Sequence, residues 1–425
     1  MDTEVQRRKK AVQLYYYQHL SKAAICRHLP CSRPWLDRWL SRDEPDHAES
    51  SLQDRKRAPH HAFSRWPETL QQQVLDMRRA RSQRDQWPYA LKGAEAIYYE
   101  LQALGVSPVP PIRTIHSWLV KADLVAPHQA ASATRERKPF PGPQPDSVNR
   151  IQQLDLKGPI YVRSSSHKYY LAVLRDRYSH RCAIQPLNSR ESRPIVEFLV
   201  TSWHWLGVPD YLQMDNALEF RGSNRYPRSF GHVVRTAVDI GVDPLFNPPR
   251  EPWRNGGVER YNGFLEERVL SRDFADVEAL RKEVHVCQDS CNATHRIAAL
   301  NGLTPNQIAQ QATLRRLSST YQRHHRPLPQ QGGFVLFIRL VRKSGRITLG
   351  AGDRFMVDPN LAYTYVVARV DRARQWVAIS QHLNEKLLKI YDYSADTVGK
   401  WAADDDEHHN LKEQKCNASS CTSEH

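Results

Sequence analysis

Cysteine is scarce. Seven of 425 residues are Cys, at 26, 31, 182, 287, 291, 416 and 421. Their scatter and odd number argue against a disulfide framework and for reduced thiols. Long apolar runs are missing too. None approaches 18 residues, so no membrane span is expected. The first residues, MDTEVQRRKKAVQLYYY, lack the apolar core of a secretory signal, so an intracellular chain is expected. Acids are in deficit: 46 Asp+Glu stand against 61 Lys+Arg, a net charge of +15. Residues 396–425 carry −4 and everything before them +19. A body this basic has a polyanion, most often nucleic acid, as its natural partner. A hydrophobic content of 40% with 25% charged residues suits a folded chain. The length allows about two to four domains.

Residues 1–45 read as three short helices, KKAVQLYYYQHL, KAAICRHL and SRPWLDRWLSR, with Ser21 and Ser32 at N-cap positions. The second and third, joined by about three residues, have the helix-turn-helix pattern, which would bring Arg33 and Arg38 to DNA. Residues 46–66, broken by Pro45, Pro59 and Pro67 at or near their ends, read as a linker. A second helix-turn-helix-like unit over 67–127 has helices near 67–82, 92–104 and 111–122, the last carrying Arg113 and Lys121. Residues 128–148, with Pro139, Pro141, Pro143 and Pro145, read as an extended connector. From 149 the order βββαβαβα predicts a mixed sheet flanked by helices, running to about 315. Strand-like runs at 330–395 predict a small β-barrel. The segment 396–425, with Asp404, Asp405, Asp406 and Glu407 together, reads as an acidic tail.

Three acids in the middle region point to chemistry. Asp155 lies within the first strand, QQLDLKG; Asp215 ends a short apolar strand in LQMDNALEF; Glu259 opens a helix in WRNGGVERYNGF. An aspartate in a buried strand is costly unless paired or bound to metal. Carboxylates converging from two strands and a helix make a hard oxygen cage that suits Mg²⁺. Paired ions in such a cage can activate an attacking oxygen and stabilise a leaving one.

Asp155, the Asp215–Asn216 pair and the NGGVER run at Glu259 resemble the catalytic core of DDE transposases and retroviral integrases. The similarity is strongest to integrase-core transposases of bacterial insertion sequences. Most of it lies between Met214 and Arg268. The resemblance implies a ribonuclease H-like fold on a five-stranded mixed sheet and two Mg²⁺ (or Mn²⁺) ions per active site. It implies hydrolysis at the ends of a mobile element to expose a 3′-OH, followed by attack of that 3′-OH on target DNA. Asp155 would bridge both metals, with Asp215 and Glu259 each holding one. Double-stranded DNA (terminal inverted repeats and target) and a homo-oligomer assembled on it would be the partners, in a prokaryotic cytoplasm at the nucleoid. Alternatives are a non-cleaving DNA-binding regulator descended from a transposase, and a ribonuclease H-like nuclease without strand transfer.

Three departures stand out. Ala217 replaces a common Gly. Between Asp215 and Glu259 lie 43 residues, more than in integrases, with the surplus in the arginine-rich RGSNRYPR. The lysines that integrases carry after the glutamate are here Gly263 and Glu266, leaving Arg260 and Arg268 as substitutes. Arg221, Arg225, Arg228 and Arg254 are further candidates for phosphate contact. Glu251 has the integrase spacing but sits in a proline-rich stretch. Glu219 reads as a supporting acid, and Asp176 as part of a turn-side salt bridge. His285, Cys287, Cys291 and His295 have zinc-like composition but a spacing that one helix cannot bring to a tetrahedron.

Overall fold

The structure is a computed structural model. It describes the chain apart from residues 1–2, 44–48, 55–65, 84, 126–138, 223–227, 322–332, 351, 384–386 and 394–425. Most of the expected linkers, Arg225 and the acidic tail therefore lie outside the described residues. The chain divides into two compact units, 1–67 and 68–425.

The first unit contains α1 (Thr3–Tyr16), α2 (Lys22–His28) and α3 (Arg33–Leu40). Ser21 Oγ accepts Ala24 N–H at 3.3 Å and Ser32 Oγ accepts Trp35 N–H at 3.4 Å, so both serines act as the expected N-caps. Ala11, Ile25, Leu36, Trp39 and Leu52 form its core. Arg8, itself buried, stacks over the Trp39 ring at 3.8 Å and donates to Leu52 O at 3.0 Å.

The second unit opens with α4 (Glu68–Ser82), α5 (Ala94–Ala103) and α6 (Ile112–Lys121). The sheet region follows: β1 (Ile151–Val162), β2 (Ser165–Asp176), β3 (Cys182–Leu187), α7 (Ser192–Trp205), β4 (Tyr211–Met214), α8 (Leu218–Arg221), α9 (His232–Asp239) and β5 (Asp243–Phe246). Next come α10 (Gly256–Leu265), continued by a π-turn over Glu266–Leu270, then α11 (Val277–Thr294) and α12 (Pro305–Gln310). Last are β6 (Phe334–Leu340), β7 (Arg346–Leu349), β8 (Asp353–Met356), β9 (Tyr365–Asp371), β10 (Trp376–Ser380) and β11 (Leu387–Asp392).

Alternation along β2 builds two apolar layers. Ala172 and Leu174 face α7 and α9 in a core with Ile195, Leu199, Trp203 and Val234. Leu171 and Val173 face the other way, toward Val258, Tyr261, Leu280, Val284 and Cys287 of α10 and α11. The strand order is β3-β2-β1-β4-β5-β6-β9-β10-β11. β1, β2 and β3 pair antiparallel; β1–β4, β4–β5 and β5–β6 pair parallel. This is the expected mixed α/β architecture.

The extent of the sheet corrects the expectation. The five strands expected for 149–315 are β1–β5; among the described residues β6, β9, β10 and β11 continue the same sheet, so the C-terminal strands do not stand apart as a small barrel. β6 pairs with β5 through Leu245↔Leu336 and Phe246↔Phe337. The Phe246 and Phe337 rings stack at 5.0 Å, and Phe334 N–H donates to Asp243 Oδ1 at 2.9 Å. Val335, Phe337, Val366 and Val377 join the same apolar core as α9. A separate barrel would leave that face of β5 exposed. Among the described residues β7 and β8 form a second, two-stranded sheet.

Helices α4–α6 seat on the core. His295 contacts Tyr89 O through Nε2 at 2.8 Å, Glu95 Oε1 accepts Ala298 N–H at 3.1 Å, and Lys92 pairs with Glu267 at 3.1 Å. No helix among the described residues is long and apolar enough to cross a membrane.

Candidate active site

Register brings the two strand aspartates level. Gln152 and Gln153 of β1 lie opposite Leu212 and Gln213 of β4. Two residues beyond that pair come Asp155, within β1 on the face that carries α10, and Asp215, the first residue after β4. Asp155 sits opposite Val173 and is half-buried. Its Oδ1 accepts Leu156 N–H at 2.9 Å, and its Oδ2 accepts Asn262 Nδ2–H at 2.6 Å. Burial pushes the Asp155 carboxyl up to about 6, and the negative charges of Asp215 and Glu259 push the same way. Asp215 caps the loop after β4, its Oδ1 accepting Ala217 N–H at 2.9 Å. Burial raises its pKa, Glu219 adds to the rise and Arg190 opposes it. Glu259 lies in the first turn of α10 and is half-buried.

Asp155 thus feels the charge of both Asp215 and Glu259, yet the three carboxylates stand apart. Among the described residues no three His, Cys, Asp or Glu side chains are close enough to hold a metal ion. The donor chemistry still fits one: hard oxygens, an Asp155 already burdened by like charge, and Asn262 Oδ1, buried without a hydrogen-bond partner beside Asp155. Asn262 was not singled out from the sequence. Its position three residues after Glu259, on the same helical face, is the signal that could have found it.

Beneath the carboxylates runs a ladder of amides. Gln153 Nε2 donates to Gln213 Oε1 at 3.1 Å; Gln213 Nε2 donates to Asn247 Oδ1 at 2.7 Å; Asn247 Nδ2 donates to Asn255 Oδ1 at 2.7 Å. Gln153 Oε1 accepts Val258 N–H at 3.1 Å, and both glutamines reach Arg254 O. All four amide side chains are buried. The ladder ties β1, β4 and the loop after β5 to the first turn of α10, where Glu259 sits. Arg175 adds a bond to Gly257 O at 2.7 Å. A cavity of about 310 Å³ opens beside Asp215, lined by Asn216, Asn247, Pro249, Arg250 and Glu251.

The remaining candidates separate. Arg33, Arg38, Arg113, Lys121 and Arg260 are exposed. Arg221 is half-buried beside Gly350. Arg228 makes a two-pronged ion pair with Asp353, the shortest contact being 3.0 Å. Arg254 pairs with Glu251 at 3.2 Å and lies 4.3 Å over the Phe140 ring. Arg268 is a correction: it is 3% exposed, donates to Pro88 O at 3.4 Å and lies 3.5 Å from Glu267, so it offers no charge to DNA. Glu251 is occupied by Tyr365 Oη at 2.7 Å as well as by Arg254. Glu219 binds Arg190. Among the described residues Asp176 has no basic partner; it accepts the N–H groups of Asn149 and Ser179 at 3.0 and 2.7 Å and so closes a turn. His285 is exposed while Cys287 and Cys291 are buried on the opposite side of α11.

No protein-family model and no curated protein matches the chain. Solved structures do. The catalytic core domain of BIV integrase is 15% identical, covering 38% of this chain and 95% of that one, with a TM-score of 0.30. The HTLV-2 integrase catalytic core domain in complex with magnesium is 18% identical, covering 39% and 99%, also at 0.30. A simian T-cell lymphotropic virus intasome in complex with the PP2A regulatory subunit B56 gamma is 13% identical, covering 70% and 94%, at 0.34. The fold of this chain is defined by its own strand order and pairing.

Proposed function

We propose that the chain is a DDE-type transposase, a polynucleotidyl transferase that cuts the ends of a mobile DNA element and joins them to a target. One observation carries the reading: Asp155 within β1 and Asp215 just past the end of β4 both lie two residues beyond the Gln153↔Gln213 pair, and the charges of Asp215 and Glu259 both act on Asp155. Asp155, Asp215 and Glu259 would hold the divalent cation. Mg²⁺ or Mn²⁺ bound there supplies a more acidic attacking oxygen and neutralises charge on the phosphate. The chain's own part is placement. Asn262 and the Leu156 N–H fix the Asp155 carboxylate, the Ala217 N–H fixes Asp215, and the amide ladder sets the helix that carries Glu259. Arg260, exposed and next to Glu259, would meet a phosphate. The α2–α3 pair with Arg33 and Arg38, and α6 with Arg113 and Lys121, would read the element ends, on a homo-oligomer assembled on DNA.

A cleavage assay on element-end DNA tests this. Asp155→Asn, Asp215→Asn and Glu259→Gln should each lower Mg²⁺-dependent cleavage by roughly 10³-fold or more while end binding in a gel shift persists. Retained cleavage in the two Asp variants would sink the proposal. Cleavage without joined products would leave a nuclease.

A further inference from the structure

Arg339 lies on β6, in the part of the chain expected to fold apart from the active site, and it is 4% exposed. Its guanidinium spends its donors on neutral oxygens only. Nε donates to Thr348 O at 3.0 Å; Nη1 donates to Asn247 O at 3.0 Å and Ile338 O at 2.9 Å; Nη2 donates to Asn216 Oδ1 at 2.8 Å. Among the described residues no carboxylate pairs with it. A buried cation without a counter-charge is a poor device for stability, because an apolar side chain of similar volume avoids the desolvation. Its acceptors suggest another use. Asn216 directly follows Asp215. Asn247 directly follows β5, accepts Gln213 and holds Asn255 at the start of α10. Asn216 Nδ2 also donates to Asn247 O at 2.7 Å. One planar group therefore clamps the loop carrying Asp215 to the loop leading to Glu259, and links both to β7 through Thr348.

We infer that Arg339 is a positioning residue that fixes Asp215 relative to Glu259, making the C-terminal strands part of the catalytic site. This rests on the proposed role of Asp215. The test uses the full chain: Mn²⁺ binding without DNA, followed by electron paramagnetic resonance of the free ion, beside thermal unfolding and the Mg²⁺ dependence of cleavage of element-end DNA. Arg339→Met leaves Thr348 O, Asn247 O and Asn216 Oδ1 without their donor, so it should melt lower yet stay folded at the assay temperature, bind Mn²⁺ at least about tenfold more weakly, and need correspondingly more Mg²⁺ for cleavage. Arg339→Lys, which keeps the charge but not the planar fork, should recover only part of this. Should Arg339→Met fail to fold, Asn216→Ala removes one acceptor and should show the same loss of Mn²⁺ affinity. The pair Arg339→Lys and Asn216→Ala should then be non-additive. A folded Arg339→Met with wild-type Mn²⁺ affinity, or fully additive losses in the pair, overturns the inference. Asp215→Asn separates the two readings. If it too leaves Mn²⁺ binding intact, the proposed function fails; if it abolishes binding while Arg339→Met does not weaken it, only the positioning role fails.

Discussion

Gly257 and Gln153 approach so closely that no side chain fits between them. A Cβ on Gly257 would lie 2.6 Å from Gln153 Oε1, the oxygen that accepts Val258 N–H at 3.1 Å. The Gln153 amide is not free to retreat, because its Nε2 is bound to Gln213. Gly257→Ala should therefore push α10 off the amide ladder. The expected result is a loss of stability of about 1–3 kcal/mol, with cleavage lowered beyond what unfolding explains. Gly256, one residue earlier, has nothing within 4 Å of a Cβ. Gly256→Ala is the matched control and should leave melting and cleavage unchanged. Equal effects at the two glycines would count against the ladder as the seat of Glu259.

This pair also marks the boundary of what the sequence discloses. Asp155, Asp215 and Glu259 were legible because a carboxylate in an apolar strand, or at the head of a helix, is chemically conspicuous. The three antiparallel strands and the parallel crossovers were legible from period and length. Gln153, Gln213 and Asn247 were not, since a buried amide and a solvent-facing one look alike until their partners are known. Arg339 in FVLFIRLVR resembles an ordinary outward-facing position. The β5–β6 pairing joins residues about ninety apart, a long-range contact that no local pattern encodes. Arg268 misled for the related reason that a long basic side chain can bury its stem and its head against a backbone carbonyl.

Two titrating groups should shape stability between pH 4 and 6.5 in opposite senses. Burial and the charges of Arg175, Arg260 and Arg177 push His180 down to about 4. In that window the unfolded chain takes up a proton at His180 and the folded chain does not, so stability falls as pH is lowered. Asp155, pushed up to about 6, does the reverse: the folded chain keeps the proton that the unfolded chain releases, and stability falls as pH rises from about 4 to 6. Unfolding in the presence of a chelator at pH 4.5, 5.5 and 7 separates them. His180→Asn, which tolerates the left-handed backbone at φ 60°, should flatten the loss toward acid. Asp155→Asn should steepen it. An unchanged pH slope in His180→Asn would rule out that assignment.

Arg268 and Arg33 should fail in different ways. Removing Arg268 leaves Pro88 O without its donor in a buried seat, while Glu267 keeps Lys92. Arg268→Gln should cost about 1–3 kcal/mol of stability and leave the salt dependence of DNA binding as it was. Arg33 is exposed on α3. Arg33→Gln should leave melting unchanged, weaken DNA binding and reduce the slope of log K against log salt by about 1. A reduced salt slope from Arg268→Gln at intact stability would restore it as a phosphate contact.

Gly302 tests whether the helices of 68–121 are fixed to the core. It adopts φ +74°, and a Cβ there would lie 2.1 Å from Tyr99 Cε1 on α5. Gly302→Ala therefore carries two penalties, the left-handed backbone and the clash, together about 2–4 kcal/mol. Adding Tyr99→Leu removes the ring but not the backbone strain, so the double variant should recover the clash share and keep about 1 kcal/mol of loss. That partial rescue, read from thermal unfolding, is the mark of direct contact. If Tyr99→Leu rescues nothing, α5 does not rest on this turn. If the contact holds, α6 with Arg113 and Lys121 is carried at a fixed offset from Asp155. The spacing between a DNA site bound there and the scissile phosphate would then be set by the packing of Tyr99 on Gly302, not by a flexible tether.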